Sequence, residues 1–450
     1  MPGSLLIKHA AVLATMDDRG REISDGGLFA AEGRILQVGP TAELPATADE
    51  VIDASGHVVL PGFVNTHHHM FQSLTRAVPA AQDSDLFGWL NELYPIWARL
   101  TPAMIRVSAL TAMAELLLSG CTTSSDHLYL FPNGCRVDDT IEAARQIGIR
   151  FHATRGAMSV GRSHGGLPPD SLVEDEGAIL LDAQRIVETH HDPRPLSLLR
   201  VGIAPCSPFS VSRDLMKEGA KLARQYGVSL HTHLAENDDD VRYSREKLGC
   251  TPAEYAEDLG WLGRDVWHAH CVKLDPAGIA RFGATQTGVA HCPCSNMRLG
   301  SGVISLGAML KHGVAVGLGV DGSASNDGGH MLAEARQAML LQRVAHGPAA
   351  LTARQALKLA TRGGARVLNR DDVGQLTPGM AADVAGFDLN QPAFAGAWHD
   401  PVAALIFCGP VKAAFTVVNG KVLVRDGELR SVELGALMET HNRLAQILVA

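Results

Sequence analysis

Three consecutive histidines, His67, His68 and His69, stand where an apolar run stops. The run from His57 through Val58, Val59, Leu60, Pro61, Gly62 and Phe63 to Val64 reads as a buried strand, with Asn65 and Thr66 leading into the histidines. Side chains alternate along a strand, so His67 and His69 share one face and His68 takes the other. Two neutral imidazoles converging at one strand end supply half of a divalent-metal site. Solvated histidines at a polar strand terminus have the same spacing, so the reading depends on whether further ligands recur downstream.

They recur at successive strand ends: His127, Arg155, Cys206, His233 with Glu236, His270, His291 and Asp321. His231 and His233 lie on the same face of their strand, and the strand alone does not choose between them. The segment HLAE sets Glu236 three residues past His233, at the strand-to-loop edge, where a carboxylate can face substrate beside the metal. His231 sits deeper and reads as a packed, hydrogen-bonded core residue; by the same reasoning His270 outranks His268 in VWHAH. Asp321 ends the apolar VAVGLGV, where a carboxylate has no packing reason to be.

His67, His69, His233 and Asp321 could therefore hold one divalent ion, Zn2+ or Fe2+, and leave a position for water. Such an ion lowers the pKa of its water to about 7. Asp321 could take the water's proton, His270 could orient the water, and Glu236 could protonate a ring nitrogen as the attacked carbon becomes tetrahedral. The set suits hydrolysis of an exocyclic C–N bond on a heteroaromatic ring.

These residues must be positioned by the elements around them. Eight strand-like runs begin near residues 57, 121, 149, 200, 228, 266, 288 and 314, with helical stretches such as AMIRVSALTAMAELLLSG and SRDLMKEGAKLARQYG between some of them. Repeated strand-helix order predicts parallel pairing, and eight units over this length predict an α/β fold, a (β/α)8 TIM barrel whose strand ends converge on one face. An open doubly wound sheet would want a Gly-rich phosphate turn after its first strand, where this chain has histidines. Short β-like runs up to Asp53, and again after Gly374 with the hairpin signal Asn419-Gly420, predict a smaller discontinuous β-sandwich built from both chain ends. The expected division is 1–60 for the first sandwich part, 61–370 for the barrel, and 371–450 for the second sandwich part and a C-terminal helix.

Composition narrows the class. Hydrophobic content of 46% and charged content of 19% fit a soluble globular enzyme, and a net charge of −9 disfavours nucleic acid or an anionic membrane as partner. The stretch MPGSLLIKHAAVLATMDDRG lacks a basic leader, and no apolar run approaches the ~20 residues of a bilayer span. The eight cysteines show no disulfide-scaffold spacing, and Cys292 and Cys294 read as buried strand residues, so reduced thiols and a cytoplasmic setting are expected.

The motifs PGFVNTHHH, HTHLAE, AHCV, AHCPCSNMRLGSG, GLGVDGSASND and GQLTPGMAADVAGFDL together resemble the amidohydrolase superfamily over essentially the whole chain. The likeness is to the branch holding cytosine, guanine, S-adenosylhomocysteine and triazine hydrolases. It implies His67, His69, His233 and Asp321 as ligands of a single zinc or iron, with Glu236 and His270 handling protons. No lysine stands near Cys206, where two-metal members carry a modified one. Details are most similar to 8-oxoguanine deaminases: Gln72 matches a glutamine that reads the purine, and His127 in SSDHLY and the stretch DLFGWLNELYPIW, with Trp89 and Trp97, look like that group. Cys206 in APCSPF departs from the histidine of adenosine-type relatives and from the arginine near there in guanine deaminases.

The expected reaction is deamination of 8-oxoguanine to urate and ammonia, with isocytosine a further candidate. Gln72, Trp89, His127, Arg155, Cys206 and His291 are the candidate substrate contacts; Arg155 reads equally as a structural ion-pair partner, and Trp89 as a lid. The rival is an N-alkylamino-triazine aminohydrolase, which would favour a greasier pocket. A metal-free scaffold protein is the alternative from another class, and loss of ligands would be its signature. A small heterocycle is the expected partner, and homo-oligomers are frequent among such relatives.

Overall fold

The structure, a computed structural model, describes residues 3–450; residues 1 and 2 of the expected first segment lie outside the described residues. Eight parallel strands, Phe63–Asn65, Cys121–Leu128, Arg150–Ala157, Leu199–Pro205, Ser229–Leu234, Val266–His270, Gly288–His291 and Ala315–Leu318, close into a barrel. Closure comes where Leu318 pairs with Asn65. Cys121–Leu128 and Arg150–Ala157 are buried at every position, as strands covered by helices on one side and barrel interior on the other must be.

The outer helices form for local reasons. In Arg213–Tyr226 the stripe Leu215, Met216, Gly219, Ala220 and Ala223 is buried, Ser212 caps the start, and Gly227 ends it at φ 65°. No helix among the described residues is long and apolar enough to cross a membrane.

The run read as one strand is two. His57–Pro61 belongs to the small sheet and Phe63–Asn65 to the barrel. The break falls at Gly62, where a Cβ would stand 2.1 Å from Thr122, and the chain passes between layers at Pro61, which has no N–H to continue a ladder. The two chain ends do build one unit, a single hydrogen-bonded sheet of nine strands joined where His57–Pro61 pairs antiparallel with Val384–Asp388. Both halves feed one core, including Leu5, Ile7, Leu28, Ile35, Val59, Val384 and Phe415, so the sheet wraps around it. The C-terminal helix forms over Leu434–Val449 and packs chiefly on the helices Leu86–Trp97 and Pro102–Leu118 at the barrel.

Candidate metal and active site

All the strand ends open on one mouth. His67 and His69 follow the first barrel strand, His233 and Glu236 the end of the fifth, His270 the sixth and Asp321 the eighth. His270 and Asp321 hold left-handed backbone, φ 71° and 61°, a conformation that costs about 1–3 kcal/mol per residue and persists at functional sites where surroundings enforce it. Asp321 N–H donates to the His67 carbonyl at 3.0 Å, which ties the two ligand segments together.

The protonation of the imidazoles follows from their outer partners. His69 Nδ1 donates to the His127 carbonyl at 2.7 Å and His233 Nδ1 to the Cys206 carbonyl at 2.7 Å. His231 Nδ1 donates to the Trp267 carbonyl at 3.0 Å, so its Nε2 accepts from His67 Nδ1 at 2.8 Å. Every proton is thus committed outward, and three Nε2 lone pairs face inward. Those of His69 and His233 are 3.1 Å apart, His67 Nε2 has no hydrogen-bond partner, and Asp321 Oδ1 lies 3.3 and 3.4 Å from His67 and His69. Burial holds His67 and His69 below the usual histidine range and His233 down to about 3, so added protons do not relieve the crowding. Converging lone pairs beside a carboxylate are what a divalent cation fits.

Asp321 stays ionised: burial opposes the charge, but the imidazoles of His67, His270 and His69 outweigh it and hold the carboxyl well below its usual range. Ser295 and Ser325 hydroxyls donate to Oδ2 at 2.6 and 3.3 Å. Glu236 behaves oppositely, raised well above the carboxylate range by burial and then by the charges of Asp321 and Asp240. Its surroundings thus favour the protonated form, and its Oε1 has no partner. Asn296 Nδ2 donates to His270 Nδ1 at 3.0 Å, which leaves His270 Nε2–H facing Glu236 Oε2 at 3.3 Å and Asp321 Oδ2 at 3.9 Å.

The cavity above these groups is walled by Trp89, Tyr94, Tyr129 and Phe209, with Gln72 and Cys206 among its polar lining. Both amide atoms of buried Gln72 lack a protein partner. Gly322 makes room for that amide, since a Cβ there would fall 1.7 Å from Gln72 Oε1. Trp89 Nε1 donates to the Ala324 carbonyl at 3.0 Å, so the tryptophan both lines the cavity and braces the loop after Asp321. Burial pushes the Cys206 thiol up to about 12, which removes it as a nucleophile.

Three expected substrate contacts are not in the cavity wall. Arg155 points out of the barrel: its guanidinium reaches Glu174 at 2.8 and 2.9 Å and Asp182 at 3.0 Å, and stacks 4.1 Å over Phe131. His127 packs against the ligands, stacked on His233 with ring centroids 5.0 Å apart, a ring nitrogen within 4.8 Å of those of His67, His69 and His233, and its Nε2 donating to the Ala204 carbonyl at 2.8 Å. His291 is fully buried outside the lining, with neither ring nitrogen partnered. Replacing Arg155 with methionine is expected to lower stability by about 1–2 kcal/mol, because Glu174 loses its cation while Asp182 keeps its bond to Arg185. Urea unfolding measures that loss, while KM for the preferred substrate should stay within about threefold, because this side chain only supports the fold.

Tyr94, Tyr129, Ser295, Asn296 and Ser325 were not singled out from the sequence. All five lie within a few residues of a motif that was: beside Trp89, after His127, inside CPCSNM and after Asp321.

A closed (β/α)8 barrel presenting three histidines and an aspartate with an adjacent buried glutamate defines a metal-dependent hydrolase. The chain belongs to the Amidohydrolase family, whose model matches residues 58–423. It is 44% identical to 8-oxoguanine deaminase of Pseudomonas aeruginosa over 94% of this chain and 95% of that one. It is 39% identical to hydroxydechloroatrazine ethylaminohydrolase of a Pseudomonas species, over 94% and 91%. A zinc complex of atrazine chlorohydrolase from Arthrobacter aurescens superposes with a TM-score of 0.94 at 33% identity, covering 99% of this chain and 100% of that one. The protein is accordingly a metal-dependent hydrolytic deaminase that cleaves C–N bonds.

Proposed function

We propose that the substrate is an oxidised purine, 8-oxoguanine, converted to urate and ammonia. The observation that carries the reading is the buried Gln72 carboxamide, unpartnered at the cavity wall, with the buried Glu236 carboxyl also lining the cavity. A carboxamide offers a donor and an acceptor to the carbonyl and N–H edge of such a ring, and the aromatic walls suit its flat faces. The 44% identity to an 8-oxoguanine deaminase supports the same choice.

His67, His69, His233 and Asp321 would hold the cation, which supplies a water acidified to a pKa of about 7. Asp321 accepts the proton that this water gives up on attack. Glu236 delivers its proton to the ring nitrogen next to the amino-bearing carbon, and His270 Nε2–H stabilises charge developing on the attacking oxygen. A second proton carried to the amino nitrogen lets ammonia depart, leaving a ring carbonyl and an N–H.

The triazine reading gains from one finding: with Arg155 turned away, no lysine or arginine among the described residues lines the cavity, and Leu86, Leu90 and Leu299 do. Turnover of 8-oxoguanine, guanine, isocytosine and hydroxyatrazine compared side by side separates the two. The highest kcat/KM is expected on 8-oxoguanine, and turnover of the triazine alone overturns the purine assignment. All eight cysteines are free, which fits a reducing cytoplasmic setting. The ligand set is complete, so nothing favours a metal-free scaffold.

A further inference from the structure

Gln72 sits on a tight 3-10 turn, Met70–Thr75, buried at every position. Turns of this kind have poor internal hydrogen bonds, so the position of the amide depends on outside tethers. Three exist. Asp126 Oδ1 accepts from Met70 N–H at 2.9 Å. Thr75 Oγ1 accepts from Trp97 Nε1 and donates to the Gln72 carbonyl, each at 3.1 Å. Ser73 Oγ donates to the Ser108 carbonyl at 3.1 Å and therefore accepts from His441 Nε2–H, also at 3.1 Å.

The first two tethers come from the barrel and its nearest helices. The third comes from the other end of the chain, 368 residues away, on the helix Leu434–Val449. That helix buries only two residues, Leu448 and His441. Spending one of two buried positions on an imidazole costs stability unless the ring is hydrogen-bonded, and the bond it makes is to the neighbour of Gln72. Burial, reinforced by Arg76 and opposed by Asn442 and Glu115, lowers the His441 pKa to about 4, so the ring is neutral near pH 7.

We propose that His441 is a positioning residue for substrate recognition: from the C-terminal helix it pins Ser73, and through it the turn that presents Gln72 to the heterocycle. The inference rests on the reading that Gln72 contacts substrate. It gives the C-terminal helix a part in the pocket although no residue of that helix lines it.

Steady-state kinetics on the full-length, metal-loaded protein test it, with 8-oxoguanine as probe, or hydroxyatrazine if the substrate panel selects that ring. His441→Leu should raise KM about tenfold with kcat within about threefold and metal content unchanged. His441→Gln, which keeps an N–H donor, should restore most of the loss. Ser73→Ala removes the acceptor, together with the bond to the Ser108 carbonyl, and leaves the helix intact, so it should raise KM at least as much, and His441→Leu should add nothing in that background. In a Gln72→Leu background His441→Leu should have no further effect. If Gln72→Leu raises KM while His441→Leu does not, or if the two effects add, the positioning role is wrong and the reading of Gln72 stands. If Gln72→Leu leaves KM unchanged for every ring, that reading fails and the proposal falls with it.

Discussion

Replacing Asp321 with asparagine should leave a folded protein that holds well under one metal ion per chain and has lost at least about 10⁴-fold in kcat/KM, since proton transfer alone contributes about 10²–10⁴ and water activation is lost as well. The substitution is close to isosteric, and asparagine is among the few residues that tolerate the left-handed backbone found at this position, φ 61°. Ser295 and Ser325 can still bond the side chain, so folding is not the route of the loss. What disappears is the one negative charge among three inward-facing imidazole lone pairs. Metal analysis beside kcat/KM checks this, and full occupancy with near-normal turnover would sink the ligand assignment.

The second large effect belongs to Glu236→Gln. Its carboxyl lies beside the cluster, 3.3 Å from His270 Nε2, and is outside the ligand set, so metal content should be unchanged. Because burial and the charges of Asp321 and Asp240 raise its pKa well above the carboxylate range, the group is suited to deliver a proton, and glutamine cannot give one up. A fall in kcat of about 10²–10⁴ with little change in KM is expected. In the wild type, kcat should decline on the alkaline side as Glu236 loses its proton, and that limb should be missing from the variant.

Stability gives an independent reading of the same shift. A carboxyl with a raised folded-state pKa contributes stability below its unfolded pKa, about 4.3, and that contribution is lost as pH rises through the folded value. Metal-stripped Glu236→Gln protein should therefore melt above the wild type at neutral pH, and the difference should shrink toward pH 4. An unchanged melting temperature at both values would mean that Glu236 is ionised in the fold.

Much of this was legible in the chain because it depends on short-range periodicity. Strand ends announce themselves by an apolar run giving way to polar residues; seven of the eight runs named from the sequence are barrel strands, and the first supplies the eighth from its far end only. HHH, HLAE, VWHAH and VAVGLGVD each place a chemically able residue at such an end, and a barrel brings those ends together whatever the connecting loops do. The outward protons on His69 and His233, by contrast, depend on carbonyls 58 and 27 residues away.

Local pattern could not decide which way a strand-end side chain turns once the barrel closes. Arg155 ends its strand as plausibly as His233 does, yet it found two carboxylates and an aromatic face outside the barrel, and a long cation settles where its charge is neutralised. His127 and His291 are buried but stay out of the cavity wall, because the packing of neighbouring strands decides which strand-end side chains reach it. Gly62 divided a continuous apolar run between two sheets because Thr122 approaches its Cα. Sequence alone thus determined which residues could do the chemistry; the tertiary structure decided which of the remaining polar groups face the substrate, since facing is a property of closure and packing between segments hundreds of residues apart.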